Sequence, residues 1–203
     1  MDTKRAFDVV VGSVGLLAAA PIIAGVAVAM RLSADRGPIF HRARRMGEGG
    51  RVIVVLKIRT MTEGSGGSKL TASDDHRVTR IGRILRRYRI DELPQLVNVL
   101  RGEMSMVGPR PEDPAFVDLH DPLHRKVFTA KPGITRLAQL HYHDEAALLQ
   151  GADAERLYRT EVLPAKLRLD AEYLDRRSVW LDIRILGRTV GAVLGRPSAR
   201  ARP

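Results

Sequence analysis

The sequence predicts a helix-rich α/β domain with one small β-hairpin, preceded by an apolar membrane segment. Three observations carry that expectation. A charge-free stretch near the N-terminus is long enough to reach across a bilayer. A glycine-rich turn separates two short strand-like runs. Most of the remaining apolar residues recur at helical spacing. The 203 residues suit one domain with an appendage. The formal net charge is +11, from 34 Lys plus Arg against 23 Asp plus Glu. Such an excess points to a polyanionic partner: nucleic acid, an anionic membrane surface or phosphorylated substrates. Aromatics make up only 4% of residues, too few for a platform that stacks single-stranded nucleic acid. There are no cysteines, which excludes disulfides, thiolate metal sites and cysteine nucleophiles.

From Val9 to Met30, 22 residues carry no charge, a length of about 33 Å as a straight helix. Three readings compete. "MDTKR" and "AAAP" imitate a signal peptide, but the apolar run continues well past any cut there. A plain spanning helix tolerates Pro21. A re-entrant hairpin broken at Pro21 divides the segment into halves near 7–20 and 22–32, each too short to span. Basic residues flank both ends, Lys4 and Arg5 before and Arg31 and Arg36 after, and such flanks prefer the cytoplasmic side. A hairpin puts both flanks there, whereas a spanning helix exports one set. These arguments leave hairpin and span open. Asp8 needs the interface or a partner such as Arg5.

The boundaries expected are a membrane segment over 1–35, a cytosolic domain over 36–195 and a disordered basic tail over 196–203. The hairpin is expected from a strand at 39–42, turn glycines in "GEGG" at 47–50 and an apolar strand at 52–58. "EGSGGSK" at 63–69 reads as a flexible loop. Ile81, Ile84, Leu85 and Tyr88 share a helical face amid arginines, and so do Leu93, Leu96, Val97 and Leu100, with Pro94 in a first turn and Gly102 as the stop. Helices are also expected over 156–173 and 180–194. In the last, Val179, Ile183, Leu186, Val190 and Val193 form a stripe that faces either a core or a membrane surface.

Chemistry concentrates in "LRRYRIDELPQL". Asp91 and Glu92 are adjacent carboxylates behind Arg83, Arg86, Arg87 and Arg89, and ionisation of both is tolerable beside cations or a metal. The plainer alternative is that Asp91 caps a helix. Arg110, between Pro109 and Pro111, suits bidentate phosphate binding; otherwise it makes a surface salt bridge. Lys57 and Arg59 end the apolar strand, or guard its edge. A basic surround for one acidic pair suits metal-assisted work on a diphosphate. His141 and His143, and His120 with His124 across Pro122, are weak metal candidates without a visible supporting shell. No P-loop, dinucleotide fingerprint or serine-triad motif is present.

Taken together, "KRAFDVVVGSVGLLAAAPII", "GPIFHRARRMG", "LKIRTM", "HRVTRIGRILRRYRIDELPQLVNVLRGEMSMVGPRP", "KPGIT" and "WLDIRILGRT" cover nearly the whole chain. In these pieces the chain resembles the bacterial sugar transferases, monotopic phosphoglycosyl transferases that start glycan assembly on a polyprenol carrier. The resemblance implies a re-entrant membrane helix broken at Pro21. It also implies a small α/β domain seated on the cytoplasmic face of the bacterial inner membrane by amphipathic helices. The implied reaction moves a phosphosugar from a UDP-sugar to polyprenyl (undecaprenyl) phosphate and releases UMP. Asp91 is then the nucleophile that carries a covalent phosphosugar, with Glu92 as its partner and Mg²⁺ held by the pair. Lys57, Arg59, Arg86, Arg110 and Pro111 fall on the implied substrate-binding positions, and Asp8 and Pro21 on the structural positions of the membrane helix. The implied partners are the UDP-sugar, the lipid phosphate and an anionic membrane surface, with a homodimer allowed and no nucleic acid. Three residues depart from the family pattern: Ala20 where serine is common, Ile58 where an aromatic is usual, and Arg136 where glycine is usual. The region of Arg136 is expected to shape the sugar or nucleotide pocket. The rivals from other classes are a basic membrane-tethered nucleic-acid binder and a scaffold without catalysis.

Overall fold

The structure is a computed structural model and describes residues 2–33, 37–64, 75–137 and 153–195. Most of the 63–69 loop, the histidines at 141 and 143, and the tail at 196–203 lie outside the described residues. The chain opens with the 30-residue helix α1 (Thr3–Leu32), capped by the Asp2 side chain, which accepts from the Lys4 N–H at 3.4 Å. Helix α1 runs on through Pro21, so the two halves expected on either side form one helical element. The reason is local: proline removes one N–H, and the turns on either side keep theirs. Only 11% of its most apolar stretch is buried, unlike the core helix of a water-soluble domain. Among the described residues it is the one helix long and apolar enough to cross a membrane.

Strands β1 (Phe40–Met46) and β2 (Val52–Ile58) then pair antiparallel, from Phe40 opposite Ile58 to Met46 opposite Val52. The first strand is longer than expected because the turn is confined to Gly47–Arg51, where Gly49 and Gly50 take φ of 67° and 73°. That left-handed region is open to glycine without strain. Helix α2 (Arg80–Arg87) starts at Thr79, whose hydroxyl accepts from the Gly82 N–H at 2.9 Å. Gly82 lies directly against the Thr60 carbonyl, leaving no space for a Cβ. That contact sets α2 against the end of β2. A 3₁₀ turn, Ile90–Glu92, leads to α3 (Gln95–Arg101), which stops at Gly102 with φ 83°.

Strand β3 (Ser105–Val107) pairs parallel with β4 (Gly133–Thr135), a two-stranded sheet too short to be visible as a pattern. Between them α4 (Pro122–Val127) begins at Pro122, which therefore opens a helix rather than interrupting one. The C-terminal helices are α5 (Ala154–Leu157), a π-helical turn at Tyr158–Val162, α6 (Leu163–Arg176) and α7 (Val179–Leu194). The wide π turn lies just ahead of Pro164, whose ring cannot sit against an ordinary preceding α turn.

The main core joins Val55, Leu96, Val99, Met106, Val107, Tyr173 and Ile185 around Ala19 of α1. A second cluster packs Phe116 and Val127 against Tyr158 and Leu167. A third joins Met30, near the far end of α1, to Ile58 and Leu85. The start of α1 is tied down by polar groups. The Arg5 guanidinium donates to the Val99 and Leu100 carbonyls at 2.5 and 2.7 Å, satisfying the open end of α3. Buried Asp8 therefore does not pair with Arg5. It pairs with Lys4 at 3.2 Å and accepts from the Ser105 hydroxyl and the Met106 N–H, each at 3.0 Å. Lys4 also reaches Asp182 at 2.6 Å, and the Tyr173 hydroxyl donates to Asp182 at 2.6 Å.

Those contacts turn Asp182 inward and rotate α7 away from the stripe expected. Its buried positions are Asp182, Ile185 and Thr189. Ile183 and Val190 are 46% and 48% exposed, beside Trp180 at 67%, so α7 shows an apolar strip outward as well as inward. Arg184 and Arg188 are also exposed.

Candidate active site

The acidic pair sits where the chain makes a turn that few side chains tolerate. Arg89 has φ 54° and ψ 23°, and it is the one non-glycine residue with positive φ among those described. A left-handed residue there swings the chain out of α2 and into the short turn that carries Asp91 and Glu92. Such a conformation stores strain of order 1–3 kcal/mol and is held by its surroundings. Asp91 lies inside the 3₁₀ turn and caps no helix. Pro94 occupies the N-cap position of α3, with no side-chain cap bond. The plainer reading of Asp91 therefore falls away.

Asp91 is 9% exposed and faces Lys57 from β2 and Arg86 from α2. Burial pushes its carboxyl above the usual aspartate range and the Glu92 charge pushes it further, with Lys57 and Arg86 opposing. Glu92 goes the other way. Burial opposes its charge, but Lys57, Arg89, Arg136 and Arg110 outweigh that and hold it down at about 2. Its two oxygens meet Lys57 Nζ and Arg89 Nη1, each at 3.4 Å. One carboxylate of the pair is thus firmly ionised, and the other is buried and under-compensated.

The basic residues divide by what already holds them. Arg86 Nε donates to the Thr60 hydroxyl at 2.8 Å, and burial lowers the guanidinium pKa. Arg110, flanked by Pro109 and by half-buried Pro111, sets its Nε 2.9 Å from Glu112. Its backbone N–H donates to Asp170 at 3.1 Å. Arg59 is buried and serves the local fold: its guanidinium donates to the Pro38 and Met61 carbonyls at 2.7 and 3.1 Å. Asp8 and Pro21 lie on α1, outside the acidic pair's surround.

Four members of the site escaped the sequence reading as site residues. Arg89 stood in a basic run with nothing to distinguish it, and Arg136 stood out as a departure in a region expected to shape the pocket, without a role of its own. Asp170 and Glu112 were not singled out in the sequence at all. Asp170 is 2% exposed, and burial raises it to about 6. Glu112 is 4% exposed and accepts from the Tyr158 hydroxyl at 2.7 Å.

No group of three or more histidines and carboxylates that could hold a metal occurs among the described residues. The pair still suits Mg²⁺, which takes one or two carboxylates and completes its shell with water and phosphate oxygens. Asp91 fits better than Glu92, because a divalent ion relieves its burial and its like-charged neighbour together, while Glu92 already has two cations. A cavity of about 480 Å³ opens elsewhere, between the start of α1 and the α6–α7 turn. Of the sequence-predicted residues it is lined only by Asp8.

The elements that build this site are matched in known proteins. The bacterial sugar transferase family model matches residues 1–196. An undecaprenyl-phosphate glucose phosphotransferase of Komagataeibacter xylinus is 42% identical over 199 residues, covering 94% of this chain and 35% of that protein. A UDP-glucose:undecaprenyl-phosphate glucose-1-phosphate transferase of Caulobacter vibrioides is 39% identical over 196 residues, covering 94% of this chain and 69% of its own. In Aeromonas hydrophila, a UDP-N-acetylgalactosamine-undecaprenyl-phosphate N-acetylgalactosaminephosphotransferase is 35% identical over 196 residues, covering 94% and 43%. The chain thus spans less than half the length of two of these relatives and about two thirds of the third. With the acidic pair, its basic surround and the apolar N-terminal helix all inside the matched range, the chain belongs to the bacterial sugar transferase family.

Proposed function

We propose that this chain is a membrane-bound phosphoglycosyl transferase that moves a phosphosugar from a UDP-sugar to polyprenyl phosphate through a covalent intermediate on Asp91. The observation that carries the reading is a buried carboxylate, Asp91, adjacent to Glu92, whose oxygens meet Lys57 and Arg89 at 3.4 Å. In the first step an Asp91 oxygen attacks the phosphorus that bears the sugar. The bond from that phosphorus to the bridging oxygen breaks, and UMP departs with that oxygen. In the second step an oxygen of polyprenyl phosphate attacks the same phosphorus and Asp91 is released. No net proton moves, and one difficult displacement becomes two easier ones. Arg86 and Arg110 hold phosphate oxygens as charge shifts during each displacement, and Lys57 keeps Glu92 ionised while tempering Asp91. Mg²⁺ at Asp91 and the donor phosphates would neutralise the diphosphate.

The reading includes a topology: α1 enters the bilayer from the cytoplasmic face and returns to it. Its support is that both ends of α1 belong to one domain. Lys4 and Arg5 are held by α7 and α3, while Met30 packs on Ile58 and Leu85. A spanning helix has its ends on opposite sides of about 30 Å of hydrocarbon, and the domain it touches along its length would have to cross as well. The active site then faces the cytoplasm at the inner membrane, where the basic charge meets anionic lipid.

Asp91→Asn is the direct test. With UDP-glucose or UDP-N-acetylgalactosamine, the donors named for the relatives, the variant is expected to release no UMP and to form no labelled phosphosugar adduct. Wild-type turnover in that variant removes Asp91 from the role, and a wild-type chain that turns over no UDP-sugar returns it to a non-catalytic scaffold.

A further inference from the structure

The parallel pairing of β3 and β4 has a consequence for a residue outside the acidic pair and its expected partners. Ser105 lies opposite Gly133 and Val107 opposite Thr135, so both strands release the chain at the same end. Ligands gather at the C-terminal ends of parallel strands because the loops that leave there converge. Past β3 the chain runs through Gly108 and Pro109 to Arg110, and past β4 comes Arg136. The chain leaving β3 is fastened to both ends of β4. The Gly108 N–H donates to the Thr135 carbonyl at 3.1 Å, and the Gly133 N–H to the Pro109 carbonyl at 2.8 Å. A Cβ on Gly108 would sit 2.5 Å from the Lys131 carbonyl oxygen, so the approach is glycine-dependent. Arg110 and Arg136 therefore leave from two points fixed relative to one another.

Their charges are not matched in the same way. Glu92 gives its oxygens to Lys57 and Arg89, and Glu112 takes Arg110 Nε. Arg136 is half-buried and feels Arg110, Glu92, Arg89 and Asp170, yet it makes no hydrogen bond or ion pair among the described residues. Burial and the neighbouring Arg110 lower its pKa to about 10. A guanidinium has five donors in a planar fork. Two guanidinium groups on one rigid edge, one of them without a carboxylate of its own, form a receptor for a multivalent oxyanion, and phosphate matches the fork.

We propose that Arg136 binds phosphate oxygens in this site, paired with Arg110 across the β3–β4 edge. The inference rests on the proposed reaction, whose donor and acceptor both carry phosphate.

The test uses the full chain in detergent micelles, with Arg136→Gln and Arg136→Lys. Titration calorimetry measures UDP, UMP and inorganic pyrophosphate, and initial rates give KM for the UDP-sugar and for polyprenyl phosphate. A donor contact weakens UDP and pyrophosphate binding by about tenfold or more in Arg136→Gln and raises the donor KM to match. An acceptor contact leaves UDP binding unchanged and raises only the KM for polyprenyl phosphate. Either result supports the inference, and partial recovery in Arg136→Lys, which keeps the charge and loses the fork, marks the role as phosphate binding. The inference is overturned if Arg136→Gln leaves both KM values and all three affinities unchanged. It is equally overturned if Arg136→Lys fails as fully as Arg136→Gln and both have a lowered Tm, which is the pattern of a structural residue. A wild-type chain that releases no UMP from any UDP-sugar sinks the proposed reaction instead, and the pyrophosphate comparison then still decides Arg136.

Discussion

Asp91 faces opposed requirements: burial and Glu92 favour its neutral form, whereas attack on phosphorus needs the carboxylate. Its pKa in the folded protein is raised, so protonation sets in at a higher pH than for a free aspartate near 3.9. Single-turnover UMP release is therefore expected to fall on acidification with a midpoint above that range. Glu92→Gln removes the like charge, the second cause of the shift, and should move the midpoint of adduct formation to lower pH while slowing it. A midpoint that stays put or rises contradicts the coupling. The same shift has a stability consequence. An acid with a raised folded pKa contributes stability below its unfolded pKa, and that contribution is lost as pH rises through the folded value. At neutral pH, then, Asp91→Asn should be inactive yet melt no lower than wild type, the reverse of what loss of a structural carboxylate does. Arg86 was singled out only by the resemblance, whereas Asp91 and Glu92 stood out in the sequence as an acidic pair in a basic run, and Lys57 and Arg110 as cations at a strand end and between prolines. Arg59 looked the same on paper, but its guanidinium is engaged with the Pro38 and Met61 carbonyls. Asp170 was hidden because a helical spacing says nothing about which polar residue turns inward.

At the scale of elements, periodicity recovered the longer helices and the turn glycines the hairpin, but it did not anticipate the short α4 or the π turn ahead of α6. It could not recover the β3–β4 pair. Three-residue strands carry too little alternation, and their partnership depends on glycines 25 residues apart in sequence, Gly108 and Gly133. It could not decide which way the stripe of α7 faces: Asp182 is drawn inward by Lys4 and Tyr173 from elsewhere in the chain, which leaves Ile183 and Val190 exposed rather than in the core. The contact of α1 with α3 has the same long-range character. A Cβ at Gly12 would lie 3.3 Å from the Val99 and Leu100 side chains, tighter than ordinary contact. Gly12→Leu inserts a branched side chain into that seam, and overpacking of this kind costs about 1–3 kcal/mol. A Tm lowered by several degrees in detergent, with a smaller drop for Gly12→Ala, is the expected result. An unchanged Tm in Gly12→Leu means that α1 does not rest on α3.

Over the whole molecule, the charge and the apolar surfaces bear on the proposed topology, in which the domain sits on one side of a membrane. The exposed face of α1 carries Val10, Val14 and Leu17, and α7 adds Trp180, Ile183 and Val190 beside exposed Arg184 and Arg188. Basic flanks border α1 at Lys4 and Arg5 and at Arg31, and such flanks resist export. A spanning α1 has to carry one of these flanks outward and also tear either the Arg5 contacts to the α3 carbonyls or the Met30 contacts to Ile58 and Leu85. Entry and return on one face keeps all of them. The absence of native cysteines makes the choice measurable with single cysteines at exposed Thr3 and at Ser33. A membrane-impermeant maleimide should label both in inverted inner-membrane vesicles and neither in intact spheroplasts. Labelling of one position from each side would mean a spanning helix, and the domain contacts at one end of α1 would then have to be absent in the membrane.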